Sequence, residues 1–195
     1  MTVKYINNIL FFDEVNVLDF AKTNQTPFYL YSQNLITHNF MEYTQNLNTA
    51  NHLLCYSVKA NSNLSILSIL SDLGSGFDIV SAGELQRVIA AGGDPAKTVF
   101  SGVGKTEEEI KFALSKNILC FNIESQEELN TLNKIALSEK KIANVSVRVN
   151  PAIDVKTHPY ITTGMRDNKF GIDESEIINL YQEANDHKGL NIRGI

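Results

Sequence analysis

Three charged side chains sit where the surrounding residues are apolar: Lys59, Asp78 and Arg148. Each needs a physical reason to be there. Lys59 follows the run Leu53-Leu54-Cys55-Tyr56-Ser57-Val58, which reads as a short buried strand. Period-2 alternation puts Leu53, Cys55, Ser57 and Lys59 on one face and Leu54, Tyr56 and Val58 on the other. An amine at the C-terminal mouth of such a strand suits Schiff-base chemistry, because desolvation favours its neutral, nucleophilic form. The alternative is a strand-end lysine that reaches back to water. Asp78 lies in Phe77-Asp78-Ile79-Val80-Ser81. Facing an interior it requires a partner, and a cationic site would supply one; otherwise it caps the following helix. Arg148 alternates with Val145, Val147 and Val149, so it shares a face with Ser146. It can meet a carboxylate or a phosphate there, or serve only a structural ion pair.

Other residues invite chemistry and then lose it. Gly102-Val103-Gly104-Lys105-Thr106 resembles the end of a phosphate-binding loop. That motif needs a glycine where this chain has Val99, so the loop is a poor anion cradle and Thr106 is better read as a helix cap. His158 precedes Pro159 and is read as shaping its loop. Four scattered histidines and two cysteines offer no zinc spacing. Cys55 and Cys120 sit in apolar runs and are expected to be buried free thiols, as in a reducing cytoplasm. The stretch 150–171 is longer than ordinary connections, which favours a functional lid over a simple loop.

The elements that would position these residues alternate. Strands are expected over Phe28–Tyr31, Leu53–Lys59, Phe77–Val80, Thr98–Ser101, Ile118–Ile123, Ala143–Val149 and Leu190–Ile195. Helices are expected over 33–48, 64–73, 82–91, 107–116, 126–138 and 174–185. Capping boxes are read at Thr106/Glu109 and Ser125/Glu128, with a weaker one at Asp173/Glu176. Strand–helix alternation implies a parallel sheet with right-handed crossovers, its strands apolar on both faces. Both parallel alternatives, a barrel and a doubly wound sheet, place function at the C-terminal ends of the strands. The chain has 195 residues, 43% apolar and 20% charged, with net charge −5. It has no basic block to suit nucleic acid and no apolar run of membrane-spanning length.

Taken together, Tyr56-Ser57-Val58-Lys59-Ala60-Asn61, Gly76-Phe77-Asp78-Ile79-Val80-Ser81, Gly83-Glu84, Val147-Arg148-Val149-Asn150-Pro151 and Thr163–Gly171 resemble, in this order, the pyridoxal-phosphate decarboxylases with an alanine-racemase-like barrel. The stretch 154–171 is most similar to the diaminopimelate decarboxylase branch. The resemblance implies a (β/α)8 TIM-type barrel, incomplete over 28–195, with 1–27 contributing to a C-terminal β domain that lies outside this sequence. It implies pyridoxal 5'-phosphate held by Lys59 as a Schiff base, with Asp78 and Arg148 near the cofactor. It implies decarboxylation of meso-2,6-diaminopimelate to L-lysine in a cytoplasmic homodimer, with no nucleic-acid or membrane partner. The family's phosphate site, its substrate pocket and its dimer interface are expected after Ile195, so these 195 residues alone are expected to be inactive. Ornithine, arginine or carboxynorspermidine decarboxylase and alanine racemase are the alternatives within the superfamily. A non-catalytic barrel and a cofactor-free Schiff-base enzyme are the alternatives outside it.

Overall fold

The computed structural model describes residues 3–47, 51–151 and 170–195. It divides into two compact units, Met1–His52 and Leu53–Ile195. In the first unit, β1 (Val3–Ile6), β2 (Ile9–Phe12) and β3 (Val15–Asn16) form an antiparallel sheet in that order. Asn16 then caps α1 (Val17–Thr23), and Ser32 caps α2 (Gln33–Asn46) by accepting from the Leu35 N–H. The strand expected over residues 28–31 does not form. A strand needs a neighbour to take up its backbone groups, and these residues join no ladder. Tyr29 is 90% exposed, while Phe28 packs edge-on against Phe20 with ring centroids 5.1 Å apart.

The second unit carries the repeat. Its elements are β4 (Cys55–Ser57), α3 (Leu64–Asp72), β5 (Gly76–Ile79), α4 (Ala82–Ala90), β6 (Thr98–Phe100), α5 (Glu107–Ser115), β7 (Cys120–Ile123), α6 (Gln126–Ser138), β8 (Ala143–Val147), β9 (Val149–Asn150), β10 (Ile172–Asp173), α7 (Ile177–Asp186) and β11 (Leu190–Gly194). The main sheet has six strands in the order β11-β8-β7-β6-β5-β4, every pair parallel. It is an incomplete α/β barrel, and its six strands are those expected from the Lys59 stretch onward. A short parallel ladder, β9 with β10, stands beside it. No helix among the described residues is long and apolar enough to cross a membrane.

The sheet is not apolar on both faces. Phe77, Ile79, Phe100, Phe121, Ile123, Val145 and Val147 point to one side and are buried together with Leu67, Leu85, Ile110, Leu129 and Leu132 from the helices. Ser57, Asp78, Ser101, Asn122, Ser146 and Arg148 have the opposite parity, and none of them is buried. Packing against helices demands hydrocarbon on one face only, so polar residues can occupy the other towards the C-terminal ends of the strands, while Val99 and buried Cys120 lie further back on it.

The helix starts follow the sequence with two refinements. Thr106 and Glu109 form a reciprocal capping box. Ser125 accepts from the Glu128 N–H, but the Glu128 carboxylate turns to the Glu124 N–H at 3.0 Å and to Lys105. Asp173 caps a 3-10 turn over Glu174–Glu176 rather than an α-helix, and α7 begins after it.

Candidate active site

β4 ends at Ser57, and Lys59 lies in a 3-10 turn, Val58–Ala60, anchored by fully buried Val58. Lys59 is exposed, not the desolvated strand residue that alternation suggested. The turn carries it past the end of the ladder, where described neighbours no longer cover it. The stretch still opens onto the C-terminal ends of the strands. Lys59, Asp78 and Arg148 line one open cavity of about 550 Å³ with Ser101, Asn122 and Ser146. Three residues singled out separately are therefore brought together.

Asp78 does not cap the helix after β5; it faces the cavity that Lys59 and Arg148 also line, and its carboxylate accepts from two hydroxyls. Ser57 donates its hydroxyl to Oδ2 at 3.0 Å and Ser101 to Oδ1 at 2.5 Å. Ser101 in turn accepts from the Asn122 amide at 2.9 Å. Ser57, Asp78, Ser101 and Asn122 thus link β4 to β7 through side chains, and the helix after β5 is capped by Ser81 instead. The nearby Cys55 thiol is pushed up by burial and by the Asp78 charge. Both cysteines are free, as expected.

Arg148 meets a carboxylate. Its Nη1 lies 2.8 Å from Glu124 Oε1, and its guanidinium stands 5.3 Å from the centre of the Phe170 ring. The Glu124 side chain is 2% exposed and that of Arg148 42%, so a buried anion holds a cation whose outer face reaches the cavity. Sequence reading missed Ser57, Ser101, Asn122 and Glu124 as site residues. The first three carry a usable signal, polar residues at the same strand parity as Asp78 and Arg148. Glu124 follows the last residue of β7 and looks like an ordinary helix-start acid.

The phosphate-loop likeness is explained by Lys105. Its side chain is 1% exposed. Nζ donates to the Gly102 and Asn122 carbonyls at 2.7 and 2.8 Å and to Glu128 Oε1 at 2.6 Å. All three donors of the ammonium are used within the protein, so none is left for a ligand. Burial pushes the Glu128 carboxyl above its ordinary range, with Lys105 pulling the other way. His158 and most of the expected lid lie outside the described residues. No cluster among the described residues suits a metal.

The chain is similar to known proteins over most of its length. The family described as "Pyridoxal-dependent decarboxylase, pyridoxal binding domain" matches residues 33–195. Diaminopimelate decarboxylase from Vibrio cholerae is 50% identical over 186 residues, 95% of this chain and 45% of that protein. The Pseudomonas aeruginosa enzyme of that name is 47% identical over 194 residues, 100% of this chain and 47% of its own length. Among solved structures, diaminopimelate decarboxylase from Helicobacter pylori complexed with L-lysine superposes with a TM-score of 0.88 at 46% identity, over 92% of this chain and 46% of that one. A lysine decarboxylase from Selenomonas ruminantium superposes less closely, with a TM-score of 0.73 at 28% identity, over 92% of this chain and 44% of that one. The chain spans about half the length of the curated relatives it matches. The family match runs from the start of α2 through the segments that carry Lys59, Asp78 and Arg148, and the chain belongs to the pyridoxal-dependent decarboxylase family.

Proposed function

We propose that this chain is the cofactor-binding part of a diaminopimelate decarboxylase, which converts meso-2,6-diaminopimelate to L-lysine and carbon dioxide. The observation that carries the reading is identity near 50% with proteins of that name across nearly the whole chain. The solved relatives that hold L-lysine support the same substrate class. The lysine decarboxylase likeness, at 28% identity, is the weaker guide.

The residues present fit pyridoxal 5'-phosphate. An amine, a carboxylate, a guanidinium and hydroxyls line one cavity, which suits an aldehyde that also bears an anionic group. When bound, the cofactor supplies a ring that takes up the electron pair left as a carboxylate departs. Lys59 is the residue that would hold it, through the only primary amine lining the described cavity. Asp78, its two oxygens fixed by Ser57 and Ser101, places a carboxylate in the same cavity. Arg148 offers a cation for an anionic group of cofactor or substrate. In the complete protein, residues 1–27 join a β domain, residues 28–195 are the front of the barrel, and the assembly is a cytoplasmic homodimer without nucleic-acid or membrane partners.

Borohydride reduction of the full-length protein, followed by digestion and mass spectrometry, tests the reading. A pyridoxyl adduct on Lys59 that disappears in Lys59→Ala is the expected result. Folded, cofactor-saturated protein with no adduct on Lys59 overturns it.

A further inference from the structure

Glu124 is buried, 6% exposed, at the C-terminal end of β7, and three segments donate to its carboxylate. Arg148 Nη1 reaches Oε1 at 2.8 Å, and the Gly102 N–H reaches the same oxygen at 3.2 Å. The Gly171 N–H reaches Oε2 at 3.1 Å. These donors come from the loop after β6, the residue after β8 and the residue before β10. Gly171 has a φ of +85°, and a Cβ there would lie 2.9 Å from the Arg148 carbonyl oxygen. Ile172 donates its N–H to that same carbonyl at 2.8 Å. The Arg148 backbone is thus fixed by residues 171 and 172, and its side chain by Glu124.

We infer that Glu124 is the positioning residue for Arg148, holding the guanidinium at the Lys59 cavity for an anionic group of the cofactor or substrate. The inference rests on the function proposed above. The chemistry of the carboxylate is what the position requires. All three described partners are N–H donors, and two of them share one oxygen. A glutamine has one acceptor oxygen and one NH2 group, so in either orientation its NH2 faces an N–H donor. Glu124→Gln therefore removes the charge and creates a donor–donor contact, which releases Arg148 from its place. An unpaired guanidinium at the end of a flexible stem then has many positions open to it in place of one.

The test uses the full-length protein and two independent readouts. In cofactor-free protein, phenylglyoxal modification of Arg148 is followed by peptide mass spectrometry. In titrations with pyridoxal phosphate, the affinity is read from absorbance. Glu124→Gln is expected to speed Arg148 modification several-fold and to weaken cofactor affinity by about tenfold. Arg148→Gln is expected to weaken affinity by a similar factor, and the double variant no further, because both changes remove one function. Glu124→Asp, which keeps the charge, recovers part of the loss, and it takes the place of Glu124→Gln in the comparison should that variant not fold. Unchanged Arg148 modification, or losses that multiply in the double variant, overturn the inference. Wild-type protein that binds no pyridoxal phosphate defeats the functional reading instead, and the positional claim is then decided by the modification rate alone.

Discussion

Cys120 and Asp78 share a sheet face, yet they call for opposite tests. Cys120 is buried, and burial pushes its thiol up to about 11 against an ordinary 9.0, with Arg193 pulling it back. The folded chain therefore holds the Cys120 proton at pH values where the unfolded chain has lost it. The resulting contribution to stability is present below pH 9.0 and is lost as pH rises towards about 11. Cys120 should resist iodoacetamide at pH 8 in the folded protein and react readily in urea; equal rates in both would contradict this burial. At Asp78 the carboxylate is half-buried and hydrogen-bonded to hydroxyls, which can also donate to or accept from an amide. Asp78→Asn should thus cost only about 0.5–1.5 kcal/mol of stability. On the function proposed above, it should lower decarboxylation by the full-length protein on the order of a hundredfold, because it removes the carboxylate's charge from the cavity. Denaturation and turnover measured on the same sample separate the two effects.

At the scale of elements, the loop after β6 is joined to the first turn of α6 by a buried ion pair, Lys105 with Glu128. Lys105→Met leaves Glu128 without its cation and two carbonyls without a donor, so a loss of about 3–5 kcal/mol is expected. Cofactor affinity should change little, since every Lys105 donor is already used by protein acceptors; a variant of wild-type stability that lost phosphate binding would restore the phosphate-loop reading. The strands are held equally closely at Gly76, where a Cβ would lie 2.5 Å from the Lys97 carbonyl oxygen and 2.7 Å from Cys55 Sγ. Gly76→Ala should cost about 1–3 kcal/mol by overpacking, read from a denaturant midpoint. A third element contact fixes a tautomer. Asn133 Oδ1 accepts from the Gly189 N–H at 3.0 Å, which turns its NH2 towards His187 Nδ1 at 3.2 Å. His187 Nδ1 must accept, so its proton sits on Nε2 and points to Asn130 Oδ1 at 3.0 Å. Nitrogen chemical shifts of the neutral ring should show the Nε2-protonated tautomer.

Across the whole molecule, the sheet separates stability from chemistry. Phe100 and Phe121 stack with centroids 6.0 Å apart on the helix-covered face, both essentially buried. Phe121→Ala should cost about 3–5 kcal/mol. Its neighbour Asn122 faces the cavity, so Asn122→Ala should cost far less and act on the site instead. Much of this was legible beforehand. The alternation of strands and helices, six strands from the Lys59 stretch onward, and the three charged residues all follow from hydrophobic period and from the expense of burying charge in apolar surroundings. The family's motifs were readable for the same reason, being contiguous in the chain. What the linear sequence alone determined was which residues are out of place among their neighbours: Lys59, Asp78 and Arg148. Only the tertiary structure decided what answers them. Asp78 is met by Ser57 and Ser101, 21 and 23 residues away, and Arg148 by Glu124, 24 residues away. A parallel sheet sets residues side by side that lie a full strand and helix apart in sequence, and no local pattern records which side chains meet across that distance.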